Sequence, residues 1–178
     1  MSNLIQAYLD ELEVEAGRTQ KVLEAVPADK LDWRPASDKA MTLGQLALHV
    51  AGSPSFAVMM ISDDSFDMGA RGEAFKTPAD KEEILAAWQQ SLADMTAAIK
   101  SMDEARAMSL WTVKMGDQEI MSMPRIGVVR HIMINHMIHH RGQLTAYYRC
   151  VDTFVPATYG MSADDNPFAE AIAAAEAN

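Results

Sequence analysis

The histidines are the residues of this sequence whose type and spacing could support metal chemistry. Four of the five lie within one stretch of ten residues, at positions His131, His136, His139 and His140. Helical residues four apart project about 40° from each other, so His136 and His140 share one face and can direct ring nitrogens at one ion. We expect that face also to be the core face of its helix. His49, far upstream, is the expected third ligand from a second helix.

The same spacing allows other arrangements. His136 and His139 lie about 60° apart on a helix, so they form an alternative pair that points to the edge of the face. His131 lies about 140° from His136 and is expected to face solvent. The histidines could instead be a cluster of core side chains. Three converging imidazoles each need a hydrogen-bond partner, however, and a buried charged ring is costly, which favours metal binding.

The residues around the histidine pair disfavour two familiar metal chemistries. The sequence from His136 to His140 reads H-M-I-H-H, so Met137 stands where zinc proteases with the H-E-x-x-H motif carry their general base. The sequence contains no Glu-x-x-His pair, which disfavours a carboxylate-bridged di-iron site. Three inward histidines leave coordination positions open, and open positions are typical of catalytic rather than structural zinc sites.

Apolar residues at three- and four-residue spacing predict the two helices that carry the histidines. One helix begins after Thr42, which stands at capping-box spacing from Gln45, and carries His49. Pro54 is expected to kink this helix or to end its first part. The other helix runs from about Arg125 to Tyr148 and carries the remaining histidines.

Two further long helices are predicted, one from Leu4 to Val26 and one from Thr77-Pro78 to Met102. Ser62 to Lys76 is expected to be a connecting loop, and residues 103–124 are irregular or include an extended segment over Leu110 to Met115. Without alternation of strands and helices, this order predicts an all-α fold, a four-helix bundle with long crossover loops.

Length and composition agree with one folded domain. Of the 178 residues, 49% are hydrophobic and 22% are charged. We expect the domain to occupy residues 1–165, followed by an alanine-rich tail over residues 166–178 that could form a short helix. The formal net charge of -10 opposes binding to nucleic acid or to anionic membranes. A single cysteine, Cys150, precludes an intrachain disulfide, and the acidic first helix does not resemble a signal peptide, so a cytoplasmic location is expected.

The segment from His136 to Leu144 resembles a known signature. Its sequence, H-M-I-H-H-R-G-Q-L, looks like the H-x-x-x-H-R-G-Q-L motif of the DinB-like (DinB/YfiT) metal-binding four-helix bundles, relatives of mycothiol-dependent maleylpyruvate isomerase. Three more segments resemble the family in the same order: D-W-R-P at 32–35, T-L-G-Q-L-A-L-H at 42–49 and P-A-T-Y-G at 156–160. The resemblance covers about residues 1–165.

The resemblance implies that His49, His136 and His140 hold one divalent ion and leave positions for water or substrate. Zinc and nickel are the favoured metals, although imidazole ligands alone do not choose between them. It further implies an enzyme that uses the ion to activate the sulfur of a low-molecular-weight thiol, for transfer to or isomerisation of a small-molecule substrate. The alternative is a non-catalytic metal-containing bundle that binds a small molecule.

Residues near the histidine pair have less specific expected roles. Gln143 and Tyr147 are candidates to orient a metal ligand or a bound water. Arg141 points about 140° from His136 and is expected to be structural or to lie at an interface. Cys150 has no histidine at an activating spacing, so it is interpreted as a small apolar residue. Apolar residues left over on the helices favour a homodimer.

Overall fold

Four long helices account for most of the fold, in the order in which their patterns occur in the sequence. The computed structural model describes residues 2–70 and 76–176. The long helices are α1 (Asn3–Glu24), α2 (Leu43–Ser62), α3 (Lys81–Ser101) and α6 (Asn135–Cys150). The shorter helices are α4 (Glu104–Met108), α5 (Arg125–Gly127) and α7 (Ala169–Glu176), and a π-helical segment, Val128–Ile134, joins α5 to α6.

A three-stranded sheet makes the fold mostly helical rather than all-α. Strand β1 (Ser65–Asp67) pairs in parallel with β2 (Leu110–Met115), and β2 pairs antiparallel with β3 (Gln118–Pro124). Gly116 in the turn between β2 and β3 has φ 59°, which glycine adopts without steric cost. The sequence predicts residues 103–124 to be irregular, with an extended segment over Leu110 to Met115 as an alternative, and the structure has that alternative. The all-α prediction is wrong. Strand β1 has only three residues, and β3 mixes polar and apolar residues without regular alternation, so neither shows the sequence pattern of a strand.

Capping side chains determine where α2 and α3 begin. The Thr42 hydroxyl accepts from the Gln45 N–H at 3.2 Å, and the Gln45 side-chain oxygen accepts from the Thr42 N–H at 2.9 Å. The predicted capping box is confirmed. Helix α3 begins after Asp80, whose carboxylate accepts from the Glu83 N–H at 2.8 Å. The predicted start at residues 77–78 is thus too early, because the stronger cap lies further along the chain.

Helix α2 continues through Pro54 to its end at Ser62, so the alternative that Pro54 ends the first part of the helix is wrong. Proline removes one backbone N–H from the helix. The hydroxyl of the preceding residue, Ser53, donates to the His49 carbonyl at 2.7 Å, so this part of α2 carries a side-chain hydrogen bond beside its backbone hydrogen bonds. By length and composition α2 could cross a membrane, the one such helix among the described residues. However, 56% of its apolar window is buried inside the fold, as in the core helix of a soluble protein.

The buried Arg125 connects α2 to the start of α5. Its guanidinium donates to the carbonyl groups of Ile61 and Asp63 and to the carboxylate of Asp64. These acceptors lie at or just beyond the end of α2, where the last carbonyl groups of a helix lack intrahelical partners. Arg125 therefore connects the end of α2, the helix that carries His49, to the start of α5, which precedes the other histidines.

The core consists of two clusters of buried apolar side chains, each built around a tryptophan. Trp111 anchors one cluster, and its indole N–H donates to the Met60 carbonyl at 2.7 Å. Trp88 anchors the other cluster. Ile134 belongs to the first cluster and Met137 to the second. His136 consequently lies at the boundary between the two clusters.

Candidate metal centre

Three histidines converge where α2 packs against α6. The Nε2 atoms of His49 and His136 are 2.8 Å apart. The ring centroid of His140 lies 4.6 Å from that of His49 and 4.3 Å from that of His136. Each residue offers one ring nitrogen within 4.8 Å of the others, and all three side chains are half-buried. The structure thus brings together the three histidines that the sequence singled out.

The spacing and chemistry of these nitrogens suit a divalent ion. Two imidazole nitrogens at about 2.0–2.1 Å from a tetrahedral zinc ion are about 3.3 Å apart. The 2.8 Å separation of His49 and His136 is that of a hydrogen bond between two rings, one donating and one accepting. A small outward movement of either ring would replace this hydrogen bond by two metal bonds. Zinc, nickel, copper and iron all accept imidazole donors.

Gln143 orients His140. The Nδ1 atom of His140 lies 2.7 Å from the side-chain oxygen of Gln143. Because that oxygen only accepts, Nδ1 carries the proton and Nε2 keeps its lone pair, as metal ligation by Nε2 requires. Burial lowers the pKa of His140 below its ordinary value, and the hydrogen bond to Gln143 only partly opposes this shift. The ring is therefore biased toward the neutral, ligating form.

The remaining candidates from the sequence lie outside this group. His139 is exposed, with its ring edge-to-face against His140 at 4.9 Å, so His136 and His140, rather than His136 and His139, are the pair that meets His49. His131 is exposed, as predicted. Tyr147 packs edge-to-face on Trp33, with ring centroids 5.4 Å apart. Cys150 is exposed at the end of α6.

The histidine face of α6 is not its buried face. The buried side chains of α6 are Met137, Arg141, Leu144 and Tyr148, whereas His136 and His140 lie beside them and are half-buried. The expectation that the histidines lie in the core face is therefore wrong. The π-helical segment just before α6 has a wider turn than an α-helix, which shifts the faces away from those of a continuous α-helix.

Arg141 has a structural role inside the chain. Its guanidinium donates to Glu15 at 2.7 Å, to the Thr19 hydroxyl at 2.9 Å and to the Tyr159 hydroxyl at 2.9 Å. The Tyr159 hydroxyl donates to Glu15 at 2.8 Å. Burial alone would raise the pKa of Glu15, but the hydrogen bonds from Tyr159 and Arg141 outweigh it and lower this pKa. Sequence reasoning missed Glu15, because a glutamate on an amphipathic helix is normally solvated.

An apolar cavity of ≈ 750 Å³ adjoins the histidines, and His49 and His136 form part of its lining. Helix α2, the sheet and the π-helical segment supply the other walls. Its large apolar side chains include Phe56, Met60, Phe66, Met68, Ile120, Met121 and Ile132. Its polar side chains besides the histidines are Gln45, Ser53 and Lys76. Sequence reasoning missed the part of this wall that lies on strands or on the segment expected to be a loop.

Comparison with known proteins gives a consistent result. The sequence profile of the DinB family matches residues 1–167. YrdA, an uncharacterized protein of Bacillus subtilis (strain 168), is 26% identical over 165 residues, which is 93% of each chain. A DinB-like protein from Bacillus cereus ATCC 10987 superposes with a TM-score of 0.67 at 21% identity, over 86% of this chain and 97% of that one. YjoA, a DinB-like protein of Bacillus subtilis, gives a TM-score of 0.64 at 15% identity, over 85% and 97%. These two structures support the fold alone.

Proposed function

Since this chain belongs to the DinB family, we propose that His49, His136 and His140 hold one divalent ion, with zinc and nickel the favoured metals. The observation that carries this proposal is the convergence of three imidazole donors, each with a nitrogen within 4.8 Å of the others. Three protein ligands leave at least one position for a further ligand, which is typical of catalytic zinc sites. The adjoining cavity supplies room for that ligand.

We further propose that the centre activates a low-molecular-weight thiol for transfer to, or isomerisation of, a small-molecule substrate. When bound, the ion would supply the Lewis acidity that lowers the pKa of a coordinating thiol. The chain supplies the rest of the site: Gln143 keeps the Nε2 lone pair of His140 available, and the apolar walls would shield a bound ligand from water. Lys76 also lines the cavity, with its ammonium group paired to Glu83.

Non-catalytic binding of a small molecule is the second candidate function. It is favoured by the cavity lining, which among the described residues contains no aspartate, glutamate, tyrosine or cysteine that could serve as a general acid or base. Turnover that depends on the metal separates the two candidates. An enzyme loses activity when the ion is removed and regains it on reloading, whereas a binding protein shows only metal-dependent affinity.

The metal site is tested by elemental analysis of protein purified without a metal-affinity tag. Wild type is expected to carry about one equivalent of a divalent metal, and His49→Ala and His140→Ala are expected to carry none. His131→Ala is the matched control, because His131 is an exposed histidine just before α6 that lies outside the group. A wild type that holds no metal and cannot be loaded with zinc or nickel would overturn the proposal.

We also propose a cytoplasmic homodimer that binds a small molecule and neither nucleic acid nor membrane. The support comes from the net charge of -10, the single cysteine and the apolar surface of the helices. Light scattering and retention on a DNA column at low salt test the oligomeric state and the absence of nucleic-acid binding.

A further inference from the structure

We propose that the ligand of this centre is an amphiphile with one anionic, metal-coordinating group, a thiolate or a carboxylate, on an apolar body that occupies the cavity. This inference rests on the proposed function, because the coordinating group binds the ion that the histidines hold. The walls of the cavity indicate an apolar body, and the distribution of charge indicates an anionic head.

The cavity walls match an apolar body. Phe56 of α2 and Phe66 of β1 pack edge-to-face with ring centroids 5.7 Å apart. On β3, Ile120 and Met121 line the cavity while remaining 51% and 38% exposed, and Phe56 is 40% exposed. Clustered exposed side chains of this kind mark ligand-binding grooves, because a bound apolar body removes them from water. Methionine in such a wall adapts its shape to different ligands.

The polar groups of the cavity lie toward the histidines. Gln45 is one helical turn before His49 on the same face of α2. The Gln45 amide donates to the Thr77 hydroxyl at 3.1 Å, which places the residue after Lys76 next to that turn. Lys76 itself pairs with Glu83 outside the cavity lining. The ligand end that reaches the histidines therefore meets hydrogen-bonding groups, and the other end meets hydrocarbon.

Charge selects an anionic head. Lys76 in the lining is paired with Glu83, and the described lining itself contains no carboxylate that could neutralise an ion at the histidines. Three neutral imidazoles would leave the charge of a divalent ion uncompensated, so an anionic ligand is favoured over a neutral one. The volume of ≈ 750 Å³ falls within the range of small-molecule sites, which is roughly 300–1,000 Å³. The site therefore suits a small amphiphile rather than a segment of a macromolecule.

Gly52 offers a direct way to fill the cavity without touching the histidines. It lines the cavity about one turn after His49, and a Cβ added there meets no atom within 4 Å. Gly52→Leu should therefore place its Cβ without a clash and extend its side chain into cavity space, and leucine is a better helix former than glycine. Gly17 is the matched control. It lies in α1, is exposed, has the same open surroundings and does not line the cavity.

The test is calorimetric titration of zinc-loaded wild type, Gly52→Leu and Gly17→Leu with two pairs of probes. Hexanethiol is compared with ethanethiol, and hexanoate with acetate, which separates a thiolate head from a carboxylate head. Each buried methylene is worth roughly fourfold in affinity, so the longer probe of at least one pair should bind wild type more than tenfold tighter. Gly52→Leu should lose at least tenfold for that probe, while Gly17→Leu should bind it like wild type.

Zinc content, measured on the same samples, separates failure of this inference from failure of the proposed function. If all three proteins hold zinc but the longer probes bind no tighter than the shorter ones, the amphiphile inference is overturned and the metal site stands. Unchanged affinity in Gly52→Leu overturns it in the same way. If wild type cannot hold zinc, the proposed function fails, and the inference fails with it.

Discussion

At the scale of single residues, the hydrogen bond between Gln143 and His140 controls what the imidazole can offer a metal. An amide oxygen only accepts, so it selects the tautomer whose proton is on Nδ1. Without that acceptor the proton can move to Nε2 and the ring can rotate, and both changes compete with metal ligation. Gln143 itself is exposed, so its side chain contributes little to the core.

Gln143→Ala is therefore expected to weaken zinc affinity by about 10-fold or more, the usual effect of removing a partner of a metal-bound histidine. Gln143→Glu keeps an acceptor oxygen and is expected to retain the affinity of wild type. Competition with a chromophoric chelator measures both constants, and circular dichroism checks that the variants are folded. Equal zinc affinity in wild type and Gln143→Ala would show that this hydrogen bond does not orient the ligand.

The buried ion pair of Glu15 and Arg141 is expected to make stability depend on pH in the acid range. The pKa of Glu15 in the folded protein is below its ordinary value of 4.5, so the carboxylate stabilises the fold above that pH. This stabilisation is lost as the pH falls through the lowered pKa. Glu15→Gln should cost about 1.5–3 kcal/mol at pH 7, because it weakens hydrogen bonds to a charged group.

Urea denaturation at neutral and acid pH measures this prediction. The difference in unfolding free energy between wild type and Glu15→Gln should shrink as the pH falls below 4.5. Glu13→Gln is the control, because Glu13 is an exposed glutamate on the same helix. A difference that stays constant down to acid pH would mean that the charge of Glu15 contributes nothing to stability.

Local spacing predicts residues of the site that one helix brings together, and fails for those that depend on packing. His136 and His140 could be predicted because four residues of helix set their directions, and Gln143 because it is three residues from His140. Glu15 could not be predicted, because its partner Arg141 lies 126 residues away in the chain. The part of the cavity wall on β3 could not be predicted either, because tertiary packing, and not local spacing, brings this strand to the cavity.

At the scale of elements, the capping box positions the start of the helix that carries His49. Thr42 is buried and its hydroxyl accepts from the Gln45 N–H, while the Gln45 side chain also reaches the Thr77 hydroxyl. The cap thereby couples the start of α2 to the segment that leads into α3. The N-cap of α1, Ser2, makes a longer bond of 3.4 Å to the Ile5 N–H.

Thr42→Ala is expected to lower the unfolding free energy by about 1 kcal/mol, the usual cost of losing an N-cap. Ser2→Ala is the control and should cost less, because its hydrogen bond is longer and therefore weaker. Chemical denaturation of both variants gives the comparison. Equal losses would indicate that the position of the cap in the fold does not matter.

Periodicity predicts long elements better than short or non-local ones. The four long helices follow from apolar spacing, and the Thr42 cap from its distance to Gln45. Strand β1 has three residues and pairs with β2 across the whole of α3, so no local pattern reports it. The π-helical segment has apolar side chains at spacings that an α-helix also permits, so the sequence does not distinguish the two.

At the scale of the whole molecule, the candidate centre lies between two tryptophan-anchored clusters and belongs to neither. Each cluster is stabilised by buried apolar side chains, which do not need a metal ion to pack together. The fold should therefore persist without the ion, unlike that of a zinc finger, and the ion should add stability through binding alone.

Zinc at a hundredfold excess over its dissociation constant should add about 2.7 kcal/mol, which corresponds to a rise in Tm of roughly 5–10 °C for a chain of this size. Differential scanning calorimetry of chelator-treated and reloaded protein measures the rise. His49→Ala should show no rise. Loss of helical circular dichroism in the metal-free protein would instead make the ion a structural component.

The bond between Tyr159 and Glu15 spans 144 residues of sequence, so it also sets an order of events during synthesis. Arg141 and Tyr159 are made 126 and 144 residues after Glu15. At about 5–20 residues per second, Glu15 waits for roughly 7 to 30 seconds before both partners exist. Throughout that interval the Glu15 carboxylate has to remain solvated, and ribosome-bound nascent chains should therefore keep this part of α1 accessible to proteases and chaperones.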